Sequence, residues 1–251
     1  MSKVQIKEYS LFDHLLELRT RLLHTIISVL LIFCCLVCFA NDIYEYIAHP
    51  LKESLPAGGQ MIATEVASSF LAPFKLTMVI SLFIAMPYVL YQIWSFIAPG
   101  LYQNEKKLVA PLMLGSTLLF YGGILFSYYL VFPVIFGFFT SVAPDGVNIA
   151  TDISSYLDFV LKLFFAFGLA FEIPIVIILL CWTGFTDVDS LRAKRPYIVV
   201  GAFVIGMLLT PPDIISQTML AVPMLLLFEF GLIIAATYQN KKSVAATREI
   251  D

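Results

Sequence analysis

Glu17, Arg19 and Arg21 set three ionised groups within the eight residues His14–Arg21, directly ahead of an uncharged apolar run from Leu22 to Ala40. Leu11, Leu15, Leu18 and Leu22 recur at helical spacing and define one apolar face. Glu17 and Arg21, four apart, then share another face and suit an intrahelical ion pair. Arg19 lies off that line. Read blandly, this is a basic anchor beside a membrane span. A second carboxylate, Glu105 in Gln103-Asn104-Glu105-Lys106-Lys107, follows the aromatic stretch Trp94–Tyr102 that contains Phe96. Phe96 taken singly is an ordinary interfacial aromatic, and Glu105 a partner for its neighbouring lysines. Together, Glu17 and Glu105 offer one membrane surface two acids, a pair suited to bidentate capture of guanidinium groups.

Another set of polar residues interrupts apolar sequence. Glu172 sits within Phe164–Pro174, where insertion of an acid costs ~2.5–3.5 kcal/mol and the side chain must face protein or water. Two uses are open to it: a structural hydrogen bond to a neighbouring helix, or a site for substrate, proton or partner. Pro174 removes a backbone donor and leaves the carbonyl of Ala170 without its helical partner. Pro87 and Pro223 interrupt other spans in the same way. Gln217 is an amide able to bond across helices. Asp213, ending Thr210-Pro211-Pro212-Asp213, suits the N-cap of a following helix, with a functional role as the alternative. Glu229, near a span end, snorkels or pairs there.

The elements that must carry these residues follow from composition. Of the chain's residues 60% are hydrophobic and 13% charged, and the mean hydropathy is +0.90. Such a chain cannot present a water-soluble surface. Six spans are predicted: Leu22–Ala40, Phe74–Ile93, Leu108–Val131, Phe159–Trp182, Pro196–Thr210 and Ile214–Ala236. The fold class is an all-α, polytopic membrane protein with several proline-kinked helices, the last two comparatively short. The fifth has about 15 residues, or ~22 Å against a hydrocarbon core of ~30 Å. Residues 1–21 form an amphipathic N-terminal segment, 22–236 the six-helix domain and 237–251 a polar tail.

Twelve of the 15 Lys and Arg fall before span one, between spans two and three, between four and five, or after six; Lys52, Lys75 and Lys162 are the exceptions. The positive-inside rule then puts both termini in the cytoplasm. The N-terminal segment is too long and too acidic for a cleaved signal peptide. Two loops are expected on the far face, near Asn41–Pro73 and Phe132–Asp158; the first, with Pro50 and a break at Pro56–Gly59, reads as a short surface helix, a turn and a return segment. Cys34, Cys35, Cys38 and Cys181 all lie in spans, where packing rather than redox chemistry or metal binding is their expected use.

Several of these segments resemble the TatC family, the multi-spanning receptors of bacterial twin-arginine protein translocases. The resemblance rests on His14–Arg19, on Ser95–Tyr102 with Glu105, and on Phe167-Gly168 with Phe171–Pro174. Arg195-Pro196-Tyr197 and Met207–Asp213 complete it, over about residues 10 to 236. It implies a receptor for folded precursors with paired-arginine signal peptides, working with single-span TatA-like and TatB-like partners in a multi-copy complex. It further implies a bacterial cytoplasmic membrane and transport driven by the proton-motive force. By position, Glu17, Arg19, Phe96 and Glu105 match the signal-recognition region. Glu172 and Gln217 match intramembrane positions of partner contact, and Pro50 and Asp213 match positions on the far side or in its turns.

Other classes fit less well. A secondary transporter should show an internal repeat with matching broken helices, which is not apparent. An intramembrane enzyme needs a catalytic set at depth, whereas His14, His24 and His49 fall near surfaces or in loops. No phosphate-binding Gly-x-x-x-x-Gly-Lys loop occurs. Catalysis, cofactors, metals and nucleic acid are not expected.

Overall fold

The computed structural model describes residues 11–54, 60–65, 67–97, 109–142, 150–210 and 213–248. Helix α1 (Leu11–Leu36) passes through a 3-10 turn (Val37–Phe39) into α2 (Ala40–Ser54). Helix α3 (Ser68–Ile97) returns, and α4 (Val109–Phe126) runs through a π-turn (Ser127–Val131) into α5 (Phe132–Ser141). Then come α6 (Ile153–Ala170), α7 (Ile173–Trp182), the short α8 (Val188–Ala193), α9 (Arg195–Leu209) and α10 (Ile214–Arg248).

Among the described residues five helical stretches are long and apolar enough to cross a membrane, and α9, at 15 residues, is a shorter apolar sixth. The multi-span, helical expectation is met. The last two spans are comparatively short, as expected: the apolar part of α10, Ile214–Thr237, has 24 residues against 28 to 36 for the four earlier long stretches, although the helix itself continues to Arg248 across the expected polar tail. In the first far-face segment α2 (Ala40–Ser54) is the expected short surface helix, and the second loop is shorter than expected because α5 continues to Ser141 and α6 begins at Ile153. The return segment is strand β1 (Gln60–Ile62), paired in parallel with β2 (Ala150–Asp152). Asp152 locks this junction. Its carboxylate accepts from the Ser155 amide at 3.0 Å, capping α6, and from the hydroxyl and amide of Thr64 at 2.8 and 3.1 Å.

Prolines shape the spans in two ways. At Pro174 the helix breaks: Glu172 N bonds to Leu169 O, and α7 restarts with Val176 N on Glu172 O. Pro50, Pro73, Pro87 and Pro223 instead sit inside continuous helices. Each leaves a carbonyl four residues back without its N–H donor. Two of those carbonyls are met from other helices. Tyr121 donates to Phe83 O at 3.0 Å, opposite Pro87, and Tyr128 donates to Tyr46 O at 3.0 Å, opposite Pro50. A span in lipid has no water to fill a vacant acceptor, so at Pro87, within a span, the Tyr121 hydroxyl takes the place of the missing N–H.

Aromatic and small residues pack the centre. Phe120, Phe132, Phe164 and Phe167 are fully buried, with Leu76 and Leu220. Between apolar helices in lipid, close packing rather than exclusion of water supplies the attraction. At Gly123 a Cβ would lie 2.4 Å from the carbonyl oxygen of Phe167, so α4 and α6 touch backbone to backbone. Helix α1 is different. It leans on α3, seats Phe33 edge-on to Phe74, and exposes Leu15, Leu22, Leu30 and Leu31.

Candidate functional site

The polar site nearest the α1 N-terminus grows from the α1–α3 contact. Four-residue spacing puts Glu17 and Arg21 on one helical face, and Glu17 Oε1 accepts from Arg21 Nε at 3.0 Å and Nη2 at 2.6 Å. The same guanidinium reaches α3. Its Nη1 donates to Gln92 Oε1 at 3.2 Å, and Nη2 donates to the Ser95 carbonyl at 3.1 Å. Gln92, buried, donates in turn to the Tyr88 hydroxyl at 2.7 Å. Arg21 therefore clamps the two helices while half-neutralising Glu17, whose Oε2 has no hydrogen-bond partner among the described residues. One turn earlier, the His14 ring stacks on Phe96 with centroids 4.2 Å apart. Beside this network lies an open cavity of about 480 Å³, walled by Leu16, Glu17, Thr20, His24, Tyr88 and Tyr91 among others.

Of the four residues expected at this face, Glu17 and Phe96 share the α1–α3 contact. Arg19 is exposed and makes no hydrogen bond among the described residues. Glu105 lies outside the described residues. The intrahelical Glu17–Arg21 pair is present as expected. Gln92 was not foreseen, although an amide four residues after Tyr88 in an apolar stretch was a readable signal.

Glu172 occupies the break between α6 and α7. Its Oε2 accepts a hydrogen bond from Ser116 of α4. Its Oε1 is buried without a partner among the described residues. Placement at the start of α7 also sets the acid at the positive end of that helix. Ser116, a lone buried hydroxyl in α4, is the second residue missed by sequence reasoning.

Gln217 and Asp213 serve another junction. Asp213 Oδ1 accepts from Ser216 N at 2.6 Å, the expected N-cap of α10, while its buried Oδ2 has no partner among the described residues. Gln217 Nε2 donates to Phe203 O of α9 at 2.8 Å, and a Cβ on Gly206 would lie 3.0 Å from Gln217 Cγ. Glu172 thus bonds to α4 and Gln217 to α9, so the expected partner-contact residues belong to separate helix pairs. Pro50 lies in α2, and its side chain is outside the described residues. Glu229 pairs with Arg195 at 2.6 Å, tying α10 to the start of α9. Among the described residues no cluster of His, Cys, Asp and Glu is arranged to hold a metal ion.

A multi-pass helical membrane protein with a carboxylate–guanidinium site at one end and a half-satisfied acid at a mid-span break is a defined class. The family described as Sec-independent protein translocase protein (TatC) matches residues 13–223. A relative of that name from Haemophilus influenzae is 59% identical over 241 residues, covering 96% of this chain and 94% of the relative. One from Escherichia coli (strain K12) is 57% identical over 231 residues, covering 92% and 90%. A crystal structure of a twin-arginine translocase receptor, TatC, superposes with a TM-score of 0.80 at 36% identity, covering 89% of this chain and 98% of that one. The chain belongs to the TatC family.

Proposed function

We propose that this chain is the receptor of a twin-arginine translocase and binds paired-arginine signal peptides of folded precursors through Glu17 and Glu105. The observation that carries the reading is the position of Glu17, with one carboxylate oxygen engaged by Arg21 and the other unbonded beside an open cavity. An incoming guanidinium meets a part-neutralised acid on a helix held rigid by Arg21, Gln92 and Ser95. Phe96, stacked on His14, supplies an aromatic face for the peptide. Arg19 orders this region electrostatically rather than touching the signal arginines, because like charges repel.

The excess of Lys and Arg on one side supports a cytoplasmic location for this face and both termini, and membership of the TatC family supports a bacterial inner membrane. Glu172 and Gln217 dock single-span TatA-like and TatB-like partners, with Asp213 and Pro50 holding the far-side turns; export runs on the proton-motive force in a multi-copy complex. No catalytic step is assigned to the chain.

Crosslinking from a photoreactive residue at Glu105 to a paired-arginine signal peptide in native membranes tests the reading. A peptide adduct lost when the two arginines become lysines supports it. A Glu105→Arg variant that binds the peptide with unchanged affinity at low salt argues against it.

A further inference from the structure

Three charged groups at the β1–β2 end have no part in the signal site. Asp158, Lys162, Phe165 and Leu169 follow one another along α6 at spacings of four, three and four, a single stripe. Lys75 of α3 pairs with Asp158 across the gap. Lys162, exposed and one turn further along α6, has no ion pair or hydrogen bond among the described residues. Below these three the stripe opens into a cavity of about 600 Å³, walled by Val79, Phe165, Leu169, Ile205, Leu209 and Met224. Leu169 and Ile205 are exposed along its mouth, so it opens sideways toward the lipid.

We propose that this groove is a phospholipid site: one acyl chain lies along Phe165 and Leu169, and the phosphate of an anionic headgroup is held by Lys162 and Lys75. Charge selects the occupant. Two ammonium groups and one carboxylate leave the rim one positive charge in excess, and Lys162, without an ion pair among the described residues, is a long cation near a helix end that can reach the headgroup level. Asp158 remains an acceptor for headgroup hydroxyls. Depth points the same way. From Asp158 to Ala170 the groove follows α6 for ~18 Å, about one leaflet of a ~30 Å core. A membrane-spanning helix would need a groove through both leaflets. Its volume lies within the ~300–1,000 Å³ usual for ligand clefts.

Native mass spectrometry of the detergent-solubilised chain tests this, titrating dioleoyl phosphatidylglycerol against dioleoyl phosphatidylcholine. The wild-type chain should retain phosphatidylglycerol the more strongly. Lys162→Ala should weaken that retention by about fivefold, the effect of one basic group at an anionic lipid surface, and Lys162→Arg should preserve it. Glycerol 3-phosphate, the headgroup phosphate without chains, should not displace the lipid. Equal retention of both lipids by the wild type, or unchanged phosphatidylglycerol retention in Lys162→Ala, overturns the proposal. Displacement by glycerol 3-phosphate alone also overturns it, since the apolar groove would then contribute nothing. So does a single-span apolar peptide with one terminal carboxylate that occupies the groove while phosphatidylglycerol does not bind.

Discussion

Glu17 and Arg21 form a two-bond ion pair at 2.6 and 3.0 Å in which the arginine is simultaneously bonded to a second helix. The pair is part-exposed, and its own net contribution to stability is ~0–1 kcal/mol. Its larger consequence is geometric. Arg21 is anchored on Gln92 and Ser95, so in the proposed reading an arriving guanidinium would share Glu17 with it rather than displace it.

Glu17→Gln should therefore weaken binding of a paired-arginine peptide by ~1 kcal/mol, about fivefold, at low salt. The difference should shrink toward 1 M salt as screening shortens to ~3 Å. Fluorescence anisotropy of a labelled peptide over a salt series reads this directly. Equal affinities for the two proteins at low salt would remove Glu17 from the site.

Glu172 separates docking from proton transfer. Gln at this position keeps a Ser116 acceptor and loses the ionisable proton, whereas Ala or Leu loses both. We expect Glu172→Gln to retain export and partner crosslinks, and Glu172→Ala to impair both while leaving signal-peptide binding intact. Loss of export in the Gln variant with partner crosslinks preserved would assign proton transfer instead. Normal export by the Ala variant would leave Glu172 with neither role.

Tyr121 and Pro87 should be energetically coupled. Tyr121→Phe leaves the Phe83 carbonyl unbonded and should cost ~1–3 kcal/mol, the usual penalty for an orphaned buried acceptor. In a Pro87→Ala background the helix supplies its own N–H to that carbonyl, so the same change should cost much less. Thermal unfolding in detergent across the four-protein cycle measures the coupling. Additive losses would mean that the hydroxyl does not substitute for the missing donor.

Gly123 and Gly137 make a matched pair. Gly123→Ala drives a methyl into the Phe167 carbonyl and should destabilise by ~1–3 kcal/mol through overpacking of α4 against α6. Gly137 in α5 has nothing within 4 Å of a built Cβ. There, alanine should be neutral or stabilising by up to ~1 kcal/mol from helix propensity. Unfolding temperatures that fall equally in both variants would contradict the close helix contact.

Asp152 predicts an acid-sensitive junction. The Ser155 amide first, then the Thr64 hydroxyl and amide, hold its carboxyl at about 2, below its ordinary value of 3.8. A depressed folded value means that the stabilisation is complete above the unfolded value and is lost as pH falls toward about 2. A carboxyl-carbon NMR titration should show that low midpoint, and Thr64→Val should raise it. A midpoint at the ordinary value would mean that β1 is not tied to the start of α6 through this side chain.

Much of this was legible from residue order. Hydropathy over a window of span length is a property of the segment itself, so the spans, including the short fifth one, could be drawn before any contact was known. Proline's missing N–H likewise marked the Ala170 carbonyl as lacking its helical donor, because that loss is local, but it did not tell the break at Pro174 from the continuous helices through Pro87 and Pro223. The Glu17–Arg21 pair followed from helical spacing, and the Asp213 cap from its place before an apolar run.

Where those local facts are answered depended on tertiary structure. The hydroxyl that repairs the Phe83 carbonyl comes from 38 residues away, the amide that receives Arg21 from 71, and the lysine that pairs with Asp158 from 83. Hydropathy and helical periodicity carry no information on which helices become neighbours. Sequence thus marked Glu172 as an acid that needed a partner. The packing of α4 against the α6–α7 break decided that Ser116 would satisfy one of its oxygens and leave the other unpaired, because a single hydroxyl proton can serve only one acceptor.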